Sequence, residues 1–369
     1  MNNKTKVLIV DDSAVARKIL SSALSKYQDI EIVGTAPDPF IARNKILQLK
    51  PDVLTLDVEM PRMDGITFLR KLMTHYPIPT VMVSSLTQEG CDTTLQALEE
   101  GAIDFVAKPT SRCDSDVSDV IDELYTKIKQ ASRVNVRTQR NPAGDTNNNN
   151  KSVRKFQPKT GTPDNVQKSR QNYTVLKGTH KIIVIGASTG GTEALKEVLT
   201  RMPPDSPAIA IVQHMPEVFT ESFAKRLDSL CAINVKEGKH GDRLIPGQAI
   251  IAPGNYHMSI KKCGAMYKVE MNQGPPIHHQ RPAVDVLFDS AAKYVGPNAI
   301  GVIMTGMGND GATGLLKMKE SGAGTIAQDE DSCVVFGMPK EAIKLGAAEK
   351  IVSLHNIPNN IISLIHRIL

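Results

Sequence analysis

The chain is 369 residues long, about twice the usual size of one domain, so two folded units with a connecting segment are expected. Its 41% hydrophobic and 22% charged residues exclude a largely disordered or fibrous chain, and 4% aromatics with no Trp argue against an aromatic platform for single-stranded nucleic acid. The formal charge is +5, and where that excess sits matters more than its size.

The chain opens with only a short apolar run, 7–10, before Asp11 and Asp12. That is too short for a signal peptide, and no stretch approaches the ~18 apolar residues of a membrane span, so a soluble, cytoplasmic protein is expected. Apolar runs at 7–10, 30–34, 53–56, 80–83 and 103–107 predict strands. Helical patterns fill the gaps, as at 14–26, where Val15, Ile19, Leu20 and Leu24 recur at helical spacing. Five strands alternating with helices imply a parallel α/β sheet covered on both faces. Five cysteines (91, 113, 231, 263 and 333) form no C-x-x-C pair and are odd in number, so neither disulfide framework nor zinc site is expected. They read as buried or partly buried thiols in a reducing compartment.

Asp11 and Asp12 close the first strand, Asp57 the third, Ser84 the fourth and Lys108-Pro109 the fifth. The functional crevice of such a sheet lies beyond the carboxyl ends of its strands, so these residues meet at one edge. Converging carboxylates repel one another unless a cation sits among them, and Mg²⁺ suits oxygen ligands that must also accept a phosphoryl group. A carboxylate beside the ion can attack phosphorus. Ser84 and Lys108 would then bond and neutralise the added oxygens. The competing reading, that the acids only cap helices, does not account for all these positions at once. V-D-D-S, L-D-V-E-M-P-R-M-D-G, V-S-S-L and A-K-P resemble the receiver domain of bacterial two-component response regulators, over residues 5 to about 128. The resemblance implies Asp57 as phospho-acceptor, Asp11, Asp12 and Asp57 on Mg²⁺, and a histidine kinase as phosphodonor. It also places Phe105 at the family's aromatic switch position.

Between Lys127 and Lys181 thirteen Lys/Arg face only Asp145 and Asp164, a local +11 that leaves −6 for the rest of the chain. With four consecutive Asn at 147–150 and few large apolar residues, roughly 131–178 cannot bury enough surface to offset its ordering entropy. The expected organisation is a first domain at 1–128, a flexible basic linker at 129–180 and a second domain at 181–369.

The second domain begins with a predicted strand at 181–185 that runs into G-A-S-T-G-G at 186–191, with a helix expected over 192–200. Gly-x-Ser-x-Gly at a strand-to-helix turn presents a hydroxyl, here that of Ser188, near a helix N-terminus that favours developing negative charge. The same turn could cradle a dinucleotide phosphate, although its spacing is not G-x-G-x-x-G. Among nine histidines, His214 ends the next predicted strand, 208–213, where a parallel sheet brings it near Ser188. A strand at 300–304 precedes T-G-M-G-N-D-G at 305–311 and a helix around 312–320. Asp310 on that loop could orient the imidazole, or cap the helix that follows it. Asp285 and Asp289 are rival acids, but lie inside a helix pattern at 282–294.

Together G-A-S-T-G-G, V-Q-H-M-P, A-P-G-N-Y-H, R-P-A-V-D-V-L-F and T-G-M-G-N-D-G resemble the catalytic domain of the chemotaxis methylesterases over about 181–369. The resemblance implies a doubly wound, Rossmann-like α/β domain with Ser188 as nucleophile, His214 as base and Asp310 as its orienting acid. It also implies an oxyanion hole from the backbone N–H groups of Thr189 and Met307. The activity it implies is hydrolysis of glutamyl γ-methyl esters, with deamidation of glutamines, on chemoreceptors. No cofactor is needed for ester hydrolysis, and the location would be cytoplasmic, at chemoreceptor arrays. The receiver in front would cover the catalytic edge until Asp57 is phosphorylated. A DNA-binding response regulator is the rival class, disfavoured because the second domain is not basic. A nicotinamide-dependent reductase is another, weakened by the missing third glycine. The basic linker reads either as a solvated tether or as an electrostatic contact with acidic receptor surface.

Overall fold

The computed structural model describes residues 4–85, 87–108, 114–134 and 181–367. Pro109, Cys113 and nearly all of the expected linker lie outside them. The first unit runs β1 (Thr5–Val10), α1 (Ala14–Leu24), β2 (Ile30–Ala36), α2 (Pro39–Leu49), β3 (Val53–Asp57), α3 (Gly65–His75), β4 (Thr80–Ser84), α4 (Gln88–Glu99), β5 (Asp104–Ala107) and α5 (Asp114–Ala131). Its strands form one parallel sheet in the order β2-β1-β3-β4-β5. β3 and β4 are buried along their whole length, as apolar strands covered on both faces must be. Helix starts are capped by Ser13, Asp38, Asp64 and Thr87, whose side chains accept the exposed N–H groups. Capping therefore falls to residues other than Asp11, Asp12 and Asp57.

The second unit runs β6 (Ile182–Ala187), α6 (Gly191–Leu199), β7 (Ala208–Gln213), α7 (Glu217–Leu230), β8 (Asn234–Glu237) and β9 (Gln248–Ile251). An antiparallel hairpin follows, β10 (His257–Cys263) and β11 (Met266–Asn272), then α8 (Val284–Tyr294). β12 (Ala299–Ile303), α9 (Ala312–Glu320), β13 (Gly324–Gln328), α10 (Met338–Lys344), β14 (Lys350–Val352) and α11 (Ile357–Arg367) complete it. Seven parallel strands take the order β14-β13-β12-β6-β7-β9-β8. The chain starts at β6, builds outward through β7, and then returns to β12 on the other side. That reversal leaves a crevice beyond the ends of β6, β7 and β12, where α/β sheets bind ligands.

The structure departs from the sequence expectations in three places. α5 continues through Ala131, so the first unit extends past residue 128 and the linker begins later than 129. Four of the thirteen basic residues counted between Lys127 and Lys181 belong to folded structure. Lys127 is paired with Asp104 and Glu123, Lys129 with Asp29, Lys181 is buried and donates to the Ile365 carbonyl, and the Arg133 N–H closes a turn on Gln130. Cys263 is exposed, because β10 leaves the core at Lys261 and ends at the hairpin tip.

The two units are in contact. Phe105 of β5 meets Phe219 of α7 at 4.3 Å between ring centroids, and both are buried. Glu99, at the end of α4, accepts from Lys196 of α6 at 2.8 Å and from Arg226 Nε of α7 at 3.0 Å. Burial alone would raise the Glu99 carboxyl, but these two cations outweigh it and hold it below its ordinary value.

Candidate functional site

The first site forms where β1 and β3 end. Asp11 and Asp57 are buried, Asp12 is exposed, and their carboxylate oxygens lie within 4.8 Å of one another. Lys108 Nζ reaches in from the end of β5, 2.7 Å from Asp57 Oδ2 and 3.3 Å from Asp11 Oδ2. Desolvation raises the Asp57 carboxyl to about 6 even though Lys108 opposes the shift. Asp11 Oδ2 is buried with no hydrogen-bond donor; the lysine approaches it as a charge without bonding geometry. An orphaned buried carboxylate oxygen beside two further carboxylates fits a hard divalent cation, so Asp11, Asp12 and Asp57 suit Mg²⁺. Ser84 is buried at the end of β4, where Thr94 of α4 donates to its Oγ at 2.6 Å. The structure thus brings Asp11, Asp12, Asp57 and Lys108 together and ties Ser84 to α4.

The second site lies at the strand reversal. β6 and β7 pair in register as far as Ala187 and Gln213, so Ser188 and His214 are the next pair beyond the sheet. The His214 N–H donates to the Ala187 carbonyl at 3.1 Å. Gln213 Nε2 donates to the carbonyls of both Ser188 and His214, at 2.9 and 3.2 Å, and fixes the two turns side by side. From the other flank, the Ser188 N–H donates to the Thr305 carbonyl at 3.0 Å, and a Cβ on Gly306 would lie 2.6 Å from Ser188 Cβ. Only glycine allows that approach.

His214 Nε2 lies 2.8 Å from Asp310 Oδ2, with both side chains buried. The Asp310 carboxylate also accepts the N–H groups of Val284 (2.7 Å, Oδ2) and Asp285 (2.9 Å, Oδ1). These are the first donors of α8, whose own cap position, Ala283, has no side-chain acceptor. Asp310 is therefore a cap, but for a neighbouring helix rather than for α9, which follows it and whose own cap position, Gly311, has no side chain to accept. Burial would raise the Asp310 carboxyl; the His214 hydrogen bond and charge, with the two α8 N–H groups, outweigh it and hold it low. An ionised Asp310 accepts the Nε2 proton, which leaves the His214 Nδ1 lone pair free to take another.

Ser188 Oγ makes no hydrogen bond among the described residues, so the link from hydroxyl to imidazole is open. Neither the Thr189 nor the Met307 N–H donates to any described backbone or side-chain acceptor. One follows Ser188 in the chain and the other follows Gly306, which packs against Ser188. The rival acids are elsewhere: Asp285 faces His278 at 3.0 Å, and Asp289 pairs with Lys317 at 2.6 Å.

Three residues that the sequence left unassigned reach this site from the first unit. Thr189 Oγ1 lies 2.5 Å from Asp104 Oδ2 of β5 and 2.7 Å from Gln130 Oε1 of α5. One hydroxyl proton cannot serve two acceptors, so with Asp104 ionised the Gln130 amide presents its NH₂ to Thr189. Lys127 holds the other Asp104 oxygen at 3.0 Å. Asp104 ends no strand and carries no motif signal; only its partner across the interface distinguishes it.

Comparison with known proteins gives two family matches, a response regulator receiver domain over residues 7–115 and a CheB methylesterase over 183–361. A protein-glutamate methylesterase/protein-glutamine glutaminase of Syntrophus aciditrophicus is 57% identical over 98% of this chain and 100% of its own length. One from Geobacter metallireducens is 52% identical over 96% of this chain and 94% of its own. The solved CheB methylesterase catalytic domain of Thermotoga maritima matches 50% of this chain and 99% of its own, with 42% identity and a TM-score of 0.50.

Proposed function

The chain belongs to the receiver-linked protein-glutamate methylesterase/protein-glutamine glutaminase family, and we propose that Ser188, His214 and Asp310 are the residues with which it cleaves glutamyl γ-methyl esters on the cytoplasmic helices of chemoreceptors. The observation that carries this reading is the buried His214–Asp310 pair beside Ser188 and two backbone N–H groups with no acceptor among the described residues.

Turning about its Cα–Cβ bond, Ser188 gives its proton to His214 Nδ1 as its oxygen bonds the ester carbonyl carbon. The carbonyl electron pair moves onto oxygen, where the Thr189 and Met307 N–H groups stabilise it. Collapse breaks the bond to the methoxy oxygen, which leaves as methanol with the His214 proton. Water then attacks the glutamyl-enzyme, giving its proton to His214, and frees the carboxylate and Ser188. On a glutamine side chain the same steps release ammonia.

Regulation follows from the covered edge. With Asp104 and Gln130 on the Thr189 hydroxyl, and Phe105 against Phe219, the first unit sits on the residue after the nucleophile. A phosphoryl group transferred to Asp57 from a histidine kinase draws Ser84 and Lys108 toward its oxygens. Ser84 is tied to α4 and Lys108 follows β5, so the change reaches the docked elements and biases them toward release. Mg²⁺ held by Asp11, Asp12 and Asp57 would neutralise charge during that transfer. Methanol release from methylated receptor, with and without a small-molecule phosphodonor and Mg²⁺, tests the whole scheme. Wild type is expected to respond, Asp57→Ala to stay at its basal rate and Ser188→Ala to be inactive. Full activity in Ser188→Ala would overturn the assignment.

A further inference from the structure

One imidazole and one buried carboxylate next to the triad take no part in these steps. His278 Nε2 lies 3.0 Å from Asp285 Oδ2, and the polar atoms of His278, Asp285 and Asp310 all fall within 4.8 Å. Asp285 is also bound into the frame that holds Asp310. Its N–H donates to Asp310 Oδ1, while its own Oδ1 accepts the Gly314 N–H of α9 at 2.7 Å. Asp310 thus caps α8, and Asp285 of α8 caps α9. Gly314 permits the exchange, since a Cβ there would lie 2.6 Å from Phe288 Cβ.

His278 is held in this place against a local preference. Residues 277–280 form a tight turn, with Ile277 and Gln280 exchanging backbone hydrogen bonds. His278 and His279 both adopt left-handed backbone, at φ 53° and 62°. Asn-Gly serves such a turn most readily, and two consecutive residues with a β-carbon there are uncommon. A costly conformation persists where the surroundings over-determine it, and the bond to Asp285 is such a constraint.

Two buried carboxylates therefore share the start of α8, and only one of them faces His214. Burial, and then the nearby Asp310, push the Asp285 carboxyl up, against the Gly314 N–H and His278. An uncompensated charge on Asp285 would add to that of Asp310 and favour a cation at His214, which would then hold its proton and fail as a base. We propose that His278 is a positioning residue for the esterase: paired with Asp285, it offsets the second carboxylate and so sets the pH above which His214 is free to accept the Ser188 proton. The proposal rests on His214 being the base.

The titratable groups around the pair come from every packed element. Asp310 lies on the 305–311 loop, His214 at the end of β7 and Lys317 on α9, paired with Asp289. On β10, His257 accepts the Ala283 N–H. On the turn itself stand His279 and Arg281, the latter bonded to Asn255 and to the Gly274 carbonyl.

The test is kcat/KM against pH for ester hydrolysis by the full-length protein activated with a small-molecule phosphodonor. His278→Gln keeps a donor toward Asp285 and cannot carry a charge. Asp285→Asn keeps an acceptor for the Gly314 N–H and removes the opposite charge. The acid limb is expected to move up by about half a pH unit or more in His278→Gln and down by a similar amount in Asp285→Asn. The double variant should return close to wild type. A purely structural pair would lower kcat in both without moving the limb, and that result overturns the proposal alone. A wild-type profile with no acid limb removes the base assignment, and the proposal with it.

Discussion

Each folded unit gathers three metal-capable side chains, after β1 and at the end of β3 in the first and around the start of α8 in the second, and the two groups differ in what is left over. In the receiver group a buried oxygen of Asp11 has no donor, and Asp57 is pushed up to about 6. In the catalytic group every carboxylate oxygen of Asp285 and Asp310 has a donor, from His278, His214 or a backbone N–H. Proximity of acids is therefore a poor guide to chemistry; the supply of donors decides. In the receiver group one buried acceptor is left for a cation to meet. In the second group the donors satisfy every carboxylate oxygen, and among the described residues it is the hydroxyl of Ser188 and the N–H groups of Thr189 and Met307 that have no partner.

The largest effect expected from that comparison is at the open hydroxyl. Ser188→Ala should lower methanol release from methylated receptor by about 10⁴–10⁶-fold while leaving Asp57 phosphorylation intact. Asp310→Asn should follow closely, at about 10⁴-fold, because an amide can donate to Nε2 and reverse the tautomer that leaves Nδ1 free. Its thermal unfolding should also move down, since the amide can no longer accept every N–H at the start of α8. If Asp310→Asn lost stability but kept its rate, the frame would be structural only.

A smaller effect is expected where the two units meet. Asp104→Ala removes one acceptor from the Thr189 hydroxyl and leaves Ser188, His214 and Asp310 untouched, and Lys127 keeps Glu123. One buried hydrogen bond is a matter of about 1–2 kcal/mol, so basal esterase activity without phosphodonor should rise up to about tenfold. The fully phosphorylated rate should change little. An unchanged basal rate would mean that the Asp104–Thr189 contact does not restrain the catalytic edge.

The sequence carried the strand-end residues well because each site is built from positions that end apolar runs, and those runs are short and unambiguous. Asp57, Ser84, His214 and the 305–311 loop all stand where the pattern puts them. β8 to β11 were not legible in the same way: β10 and β11 alternate Met258, Ile260, Tyr267, Val269 and Met271 with Lys, Glu and Ser because one face is more open to solvent, and so they give no continuous apolar run. Asp104 and Gln130 were invisible for another reason. Their role arises from a surface brought against Thr189 only when two separately folded units meet, and no local spacing encodes that. Asp285 was weighed only as a rival to Asp310, whereas the helices α8 and α9 exchange caps through both.

The subtlest expected effect separates the two groups by pH. Desolvation raises the Asp57 carboxyl from its ordinary value to about 6, so between roughly pH 4 and 6 the folded receiver keeps a proton that the unfolded chain has released. The folded state then binds more protons, and Asp57 makes stability fall as the pH rises through that window. Asp310 is shifted the other way, so its contribution is present above the ordinary carboxylate value and is lost as pH falls below it. Mg²⁺ stabilises the ionised Asp57 and should shrink the first trend without altering the second. Urea unfolding of the Asp57→Asn variant and wild type at pH 4.5 and 6.5, each with and without Mg²⁺, separates the two. The Mg²⁺-dependent gain should be larger at the higher pH in wild type and be mostly lost in Asp57→Asn. An equal gain in both proteins would place the cation somewhere other than Asp11, Asp12 and Asp57.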